Sequence, residues 1–166
     1  MHVTVPLVDG QLAAIYGKYA PSEYQIAAHP VRSFPLEVTE LPKATQTWAL
    51  VLLDFDSTPV CGFPWIHWSV ANLSPKQTQL PANASRDLDL IQAKNSNAGP
   101  LVAGDPQIQI GYVGPQPPDQ THNYTLFVYA LDIKLTLTNG YWLNEFYRQM
   151  QGHILDQSKI ELPSPA

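Results

Sequence analysis

One cysteine, Cys61, stands alone in 166 residues, so no internal disulfide can staple the chain. The fold must rest on its own apolar core, and a lone thiol agrees with a reducing, cytoplasmic setting. Charge is scarce too: Asp, Glu, Lys and Arg make up 14% of the residues, and the formal net charge is −5. No basic cluster occurs along the chain, which leaves counterion-release binding to nucleic acid or to an anionic membrane surface with little to work on. The longest apolar run, Trp48 to Leu53, falls far short of the roughly 18 residues a membrane span requires. A basic start followed by an apolar core is missing at the N-terminus, and a soluble, unexported protein is expected. Also missing are a Gly-x-Ser-x-Gly elbow, a His-Glu-x-x-His pair and a Walker loop. Nothing therefore names a reaction class, and neither a cofactor nor a bound metal is expected.

What is abundant is proline, with sixteen residues, against a background of 45% hydrophobic content. Proline breaks helix interiors but is tolerated at strand ends and in loops, so a helical bundle is disfavoured. The length suits one domain over residues 1–166. Trp48 to Asp54 is apolar on both faces, as a strand buried in a core should be. Pro64 to Leu73 and Thr125 to Leu131 read as two more strong strands, and Ser33 to Val38 as an edge strand. Leu143, Phe146, Tyr147 and Met150 fall at i, i+3, i+4 and i+7, which predicts one amphipathic helix stopped by Gly152. Residues 74–104, rich in Pro, Asn, Ser and Gln, form a long excursion that either wraps the surface or frames a site. Residues 1–29 carry little recognisable chemistry. The whole predicts a mainly β protein, an antiparallel Greek-key β-sandwich with a few short peripheral helices.

Three strands each offer a polar pair two residues apart, hence on one face: Asp54 with Asp56, Trp65 with His67 and Ser69, His122 with Tyr124. Just before the third pair runs Gly111-Tyr-Val-Gly114-Pro-Gln116-Pro117-Pro118, a loop stiffened by proline. If the pairs converge, two imidazoles, a phenol and the loop amides would supply donors for a phosphate-like anion. Both imidazoles would then become doubly donating cations together as the pH falls from about 8 to about 5. Each residue also has an ordinary explanation. Asp54 and Asp56 could cap the following turn, His67 could be a hydrogen-bonded core histidine, and Trp65 and Tyr124 could be core aromatics.

The segments Leu53-Asp54-Phe55-Asp56-Ser-Thr-Pro59, Trp65-Ile-His67-Trp-Ser-Val-Ala-Asn72, Gly111-Tyr-x-Gly114-Pro-x-Pro117-Pro118, His122-x-Tyr124 and Tyr129-Ala-Leu-Asp132 occur in the order of one family. Over roughly residues 30–160 the chain resembles the phosphatidylethanolamine-binding proteins, in their bacterial Raf-kinase-inhibitor-like branch. It departs from the pattern at Phe55, where a proline is usual, and at Gln116, where relatives commonly carry a small residue. The link from Ser96 to Ile110 also looks long. The resemblance implies a pocket formed by Asp54, Asp56, Trp65, His67, Gly114, Gln116, Pro117, His122 and Tyr124. Such a pocket takes a small phosphorylated or anionic group, such as a phosphate or phospholipid head group, without catalysis. It also implies a regulated protein partner such as a kinase, and a homodimer. Two other classes are kept open: a hydrolase using Asp54 or Asp56 with the histidines, and a metal site built from Asp54, Asp56, His67 and His122.

Overall fold

The apolar Trp48–Leu53 run sets the architecture, because every residue of its strand is buried. In the computed structural model, which describes all 166 residues, the strands in chain order are β1 His2–Thr4, β2 Leu7–Val8, β3 Gln11–Leu12, β4 Gln25–Ile26, β5 His29–Pro30, β6 Leu36–Thr39, β7 Thr47–Asp54, β8 Trp65–Leu73, β9 Gln79–Leu80, β10 Ile91–Gln92, β11 His122–Leu131 and β12 Ile154–Ser164. The helices are α1 Thr58–Cys61, α2 Ala84–Asp87 and α3 Leu143–Met150. The chain is thus mainly β with short helices, and no helix is long and apolar enough to cross a membrane.

Strand β7 is the middle of a five-stranded antiparallel sheet ordered β10-β8-β7-β11-β12. Its alternate side chains enter two different cores. Trp48, Leu50 and Leu52 meet Val3, Phe34, Leu36, Val38 and Leu80 on one side. Ala49, Val51 and Leu53 meet Leu135, Tyr141, Phe146 and Met150 on the other. Burying each Leu or Val is worth about 1.5–3 kcal/mol, and β7 contributes to both layers at once. That double duty explains a strand with no polar alternation.

Expected as an edge strand, β6 instead lies in the middle of a second, three-stranded sheet ordered β1-β6-β9. Pro35 stands one residue before the strand, so no ladder donor is lost and both sides of β6 remain free to pair. Helix α3 forms where the apolar spacing predicts it, with Phe146 and Met150 buried. Its start is fixed by Glu145 Oε2, which accepts the Trp142 N–H at 2.7 Å. Gly152, with φ of 83°, turns the chain into β12. That last strand was not anticipated. It pairs with β11 from Ser164 opposite His122 to Ile154 opposite Leu131, and Gln157, Lys159 and Glu161 stand exposed along it, as suits a sheet edge exposed to water.

Candidate functional site

Residues from β7, β8, β11 and the Val113–Pro118 loop surround a cavity of about 240 Å³ at one end of the five-stranded sheet. Strand β8 reaches it by an irregularity that strict alternation hides. Leu52 pairs with Trp68, yet Leu53 pairs with Ile66, so His67 is an extra residue in the ladder. This β-bulge resets the alternation. Trp65 and His67 come to the side of Trp68 and Val70, while Ser69 is sent to the opposite core, where its Oγ lies 2.7 Å from Tyr141 Oη. Ser69 therefore does not share the face of Trp65 and His67, contrary to the period-two reading.

Strand β11 delivers His122 and Tyr124 to the cavity as the sequence spacing anticipates. The His122 ring is 1% exposed and lies between two carboxylates. Its Nδ1–H donates to Asp54 Oδ2 at 2.8 Å, and its Nε2–H donates to Asp119 Oδ1 at 2.9 Å. Burial alone would lower its pKa, but Asp54 and Asp119 together outweigh burial and raise it. Desolvation pushes Asp119 up, yet the hydrogen bond from His122 leads it to a net value below the usual carboxylate range. Asp54 is itself anchored, its Oδ1 accepting the Ser57 N–H at 3.0 Å. Burial, followed by the charge of Asp54, pushes the Tyr124 phenol well upward, so it stays protonated.

His67 behaves differently. Its Nδ1–H donates to Val113 O at 2.7 Å, and its ring meets Tyr124 edge-on at a centroid distance of 4.9 Å. Burial lowers its pKa to about 4, against the weaker raising effects of Val113 and Asp54. The two histidines thus do not become cations together, as equal imidazoles would. The loop amides also differ from expectation. Val113 N–H donates to His67 O, Gly114 N–H donates to Pro30 O, and Pro115, Pro117 and Pro118 have no N–H. Proline stiffens the loop at the expense of the donors an anion-binding nest would need.

One wall comes from residues that carried no signal of their own. Hairpin β4–β5 brings His29 to the cavity and is tied to the loop by three hydrogen bonds. Gly114 N–H meets Pro30 O at 2.8 Å, His29 Nδ1–H meets Gln116 Oε1 at 2.7 Å, and Gln116 Nε2–H meets Ala28 O at 3.2 Å. Gly114 must be glycine for this approach, because a Cβ there would lie 2.1 Å from Tyr16 O. The unusual Gln116 was the one available hint, since an amide in place of a small residue asks for partners. Asn97, from the 74–104 excursion, forms another wall and is held by Asn95. That excursion does frame the site.

Of the nine expected ligand contacts, eight line the cavity: Asp54, Trp65, His67, Gly114, Gln116, Pro117, His122 and Tyr124. Asp56 does not. It lies beyond the end of β7, and its Oδ2 accepts the Asn123 N–H at 2.8 Å, so it secures the start of β11 from outside. Ser57 and Cys61 were missed and also line the cavity. The Ser57 hydroxyl is framework, 2.7 Å from Asp54 O and 2.9 Å from Phe63 O while accepting the Trp65 N–H. The four candidate metal ligands are not assembled around one point, since Asp56 lies elsewhere and both His122 nitrogens are committed to carboxylates.

Comparison with known proteins identifies the family. A family model for phosphatidylethanolamine-binding protein matches residues 11–163. The Bacillus subtilis protein YxkA, itself uncharacterized, is 45% identical over 150 residues, 89% of either chain. The crystal structure of a phosphatidylethanolamine-binding protein homologue from Chlamydia trachomatis superposes with a TM-score of 0.68 at 29% identity, covering 90% of each chain. Escherichia coli YbcL, a new member of the mammalian PEBP family, gives a TM-score of 0.76 over 99% of this chain and 97% of that one; at 21% identity it speaks for the fold alone. Matched by the family model along nearly its whole length and by a relative at 45% identity, the chain belongs to the phosphatidylethanolamine-binding protein family.

Proposed function

We propose that the cavity binds a small phosphorylated or otherwise anionic group, a phosphate or phospholipid head group, and that the protein acts by binding. Its volume of about 240 Å³ lies below the range of drug-sized pockets and suits a phosphoryl group with a short substituent. The observation that carries this reading is the arrangement around His122. The two carboxylates raise the pKa of the ring, whose inner donor is held by buried Asp54 while its outer donor is held by Asp119, a side chain 51% exposed on a loop. An incoming anion can replace the half-exposed surface carboxylate on Nε2–H without disturbing the buried pair. Asp119 then acts as a stand-in for the ligand.

Isothermal titration with inorganic phosphate tests this, using Asp119→Asn and His122→Asn. Removing the competing charge should tighten binding several-fold, and removing the ring should weaken it at least about tenfold, as expected for a charge-assisted hydrogen bond. Unchanged affinity in both variants would defeat the assignment. Regulation of a protein partner such as a kinase, and pairing into a homodimer, belong to the same proposal through the family resemblance. Sedimentation at high protein concentration tests the second, which a monomer throughout would end.

A further inference from the structure

One group that faces the cavity without a protein partner is an acceptor, and this bears on which anion can enter. His67 has committed its Nδ1–H to Val113 O, so the neutral ring offers the cavity a bare Nε2 lone pair. The same reasoning fixes His29. Gln116 Nε2 donates to Ala28 O, so its Oε1 is the atom facing His29, and only a protonated Nδ1 can satisfy it. The Val113 and Gly114 amides are taken up and the prolines have none, so of the donors in the Val113–Pro118 loop only the Gln116 N–H, beside the Tyr124 phenol, is at hand. The Trp65 indole N–H remains for phosphoryl oxygens, together with the Nε2–H of His122 once Asp119 leaves.

Resting on the anion-binding reading, we propose that the cavity selects anions that carry their own proton, phosphomonoesters in their monoanionic form, with the ligand O–H donated to Nε2 of His67. An aprotic anion of equal charge would set an oxygen lone pair against the His67 lone pair in a buried site, where an unmade hydrogen bond is costly. The ionisable groups around His67 do not relieve this. Asp54 on β7 stays engaged with Ser57 and His122, Tyr124 on β11 stays a neutral phenol, and burial keeps His67 neutral down to about pH 4. His122 on β11, His29 on β5 and Cys61 on α1 are the other titratable groups that line the cavity.

The test compares methyl phosphate with dimethyl phosphate at pH 5, where both carry a single negative charge because the monoester's second ionisation lies near 6. Calorimetry should show methyl phosphate binding at least about tenfold more tightly, the discrimination expected of a site built to accept a ligand hydroxyl. Raising the pH to 7 should weaken methyl phosphate although its charge increases. In His67→Gln, whose amide can turn an N–H to the cavity, the preference should collapse or reverse. A preference due only to the extra methyl group of the diester would survive that substitution and would overturn the proposal. Equal affinities in the wild type would overturn it as well while leaving anion binding intact. If neither ester binds, the anion-binding reading itself falls and this inference falls with it.

Discussion

Strand β11 has a histidine–aspartate pair at each end, and the two pairs have nearly the same geometry. At the cavity end His122 Nδ1 lies 2.8 Å from Asp54, with side chains 1% and 5% exposed; at the far end His153 Nδ1 lies 2.9 Å from Asp132, with side chains 41% and 44% exposed. Distance alone would rank them equal. Burial separates them, because water competes for the outer pair and screens its charges but is kept from the inner one. The inner pair is enclosed by framework contacts from Ser57, Tyr124 and the proline loop, and its outer pole is finished by Asp119. Function is expected where the surroundings make such a pair hard to separate.

The strongest way to break the comparison is Asp54→Ala. It leaves the Nδ1–H of His122 and the Ser57 N–H without their acceptor in the interior, and urea unfolding should show a loss of about 3–5 kcal/mol. A loss below 1 kcal/mol would mean that water reaches this pair as freely as the outer one. Next in size is the acid response of His67. Its folded pKa of about 4 lies below the ordinary 6.5, so the unfolded chain takes up the proton first. Stability is therefore complete above about pH 6.5 and falls by about 3 kcal/mol as the pH drops to 4. His122 has the opposite sign: its raised pKa gives a contribution that is complete below about 6.5 and lost as the pH rises through the folded value. Denaturation curves of wild type and His67→Gln between pH 6.5 and 4 should diverge in slope, with the flatter profile in the variant.

Two glycines sharpen the same contrast. Gly114→Ala at the cavity end forces a methyl group against Tyr16 O and Pro30, and should cost roughly 1–3 kcal/mol while loosening the hairpin wall. Gly152→Ala at the far end meets nothing within 4 Å and suffers only from its φ of 83°, about 1 kcal/mol. Thermal melts of the pair should keep that order. The smallest effect belongs to Asp132→Asn, which removes the exposed ion pair and should change stability by less than about 1 kcal/mol.

What could be read from sequence followed from how local each feature is. Strand β7 was legible because a strand between two cores has no polar face, and α3 because four apolar residues repeat at helical spacing. The convergence of β7, β8 and β11 on one end came from the motif order. The bulge at His67 was not legible, since an extra residue in a ladder leaves the alternation of β8 looking regular while reversing it. Nor was the wall supplied by His29, which gains meaning only from Gln116, 87 positions away. Asp56 looked like the partner of Asp54 through period-two spacing, but β7 ends at Asp54 and the rule ends with it. Strand β12 was obscured by its exposed Gln157, Lys159 and Glu161, the same residues that suit an edge.

The three bonds that tie hairpin β4–β5 to the Gly114–Gln116 loop also set an order of events during synthesis. His29 leaves the ribosome long before Gln116 exists, and β12, which closes the sheet beside β11, comes last of all. Contacts so distant in sequence form only after the intervening chain has given up its freedom, which makes them late steps in folding. A nascent chain that ends before Gln116 lacks one wall of the cavity. A complete cavity therefore reports that segments from His29 to Tyr124 have come together.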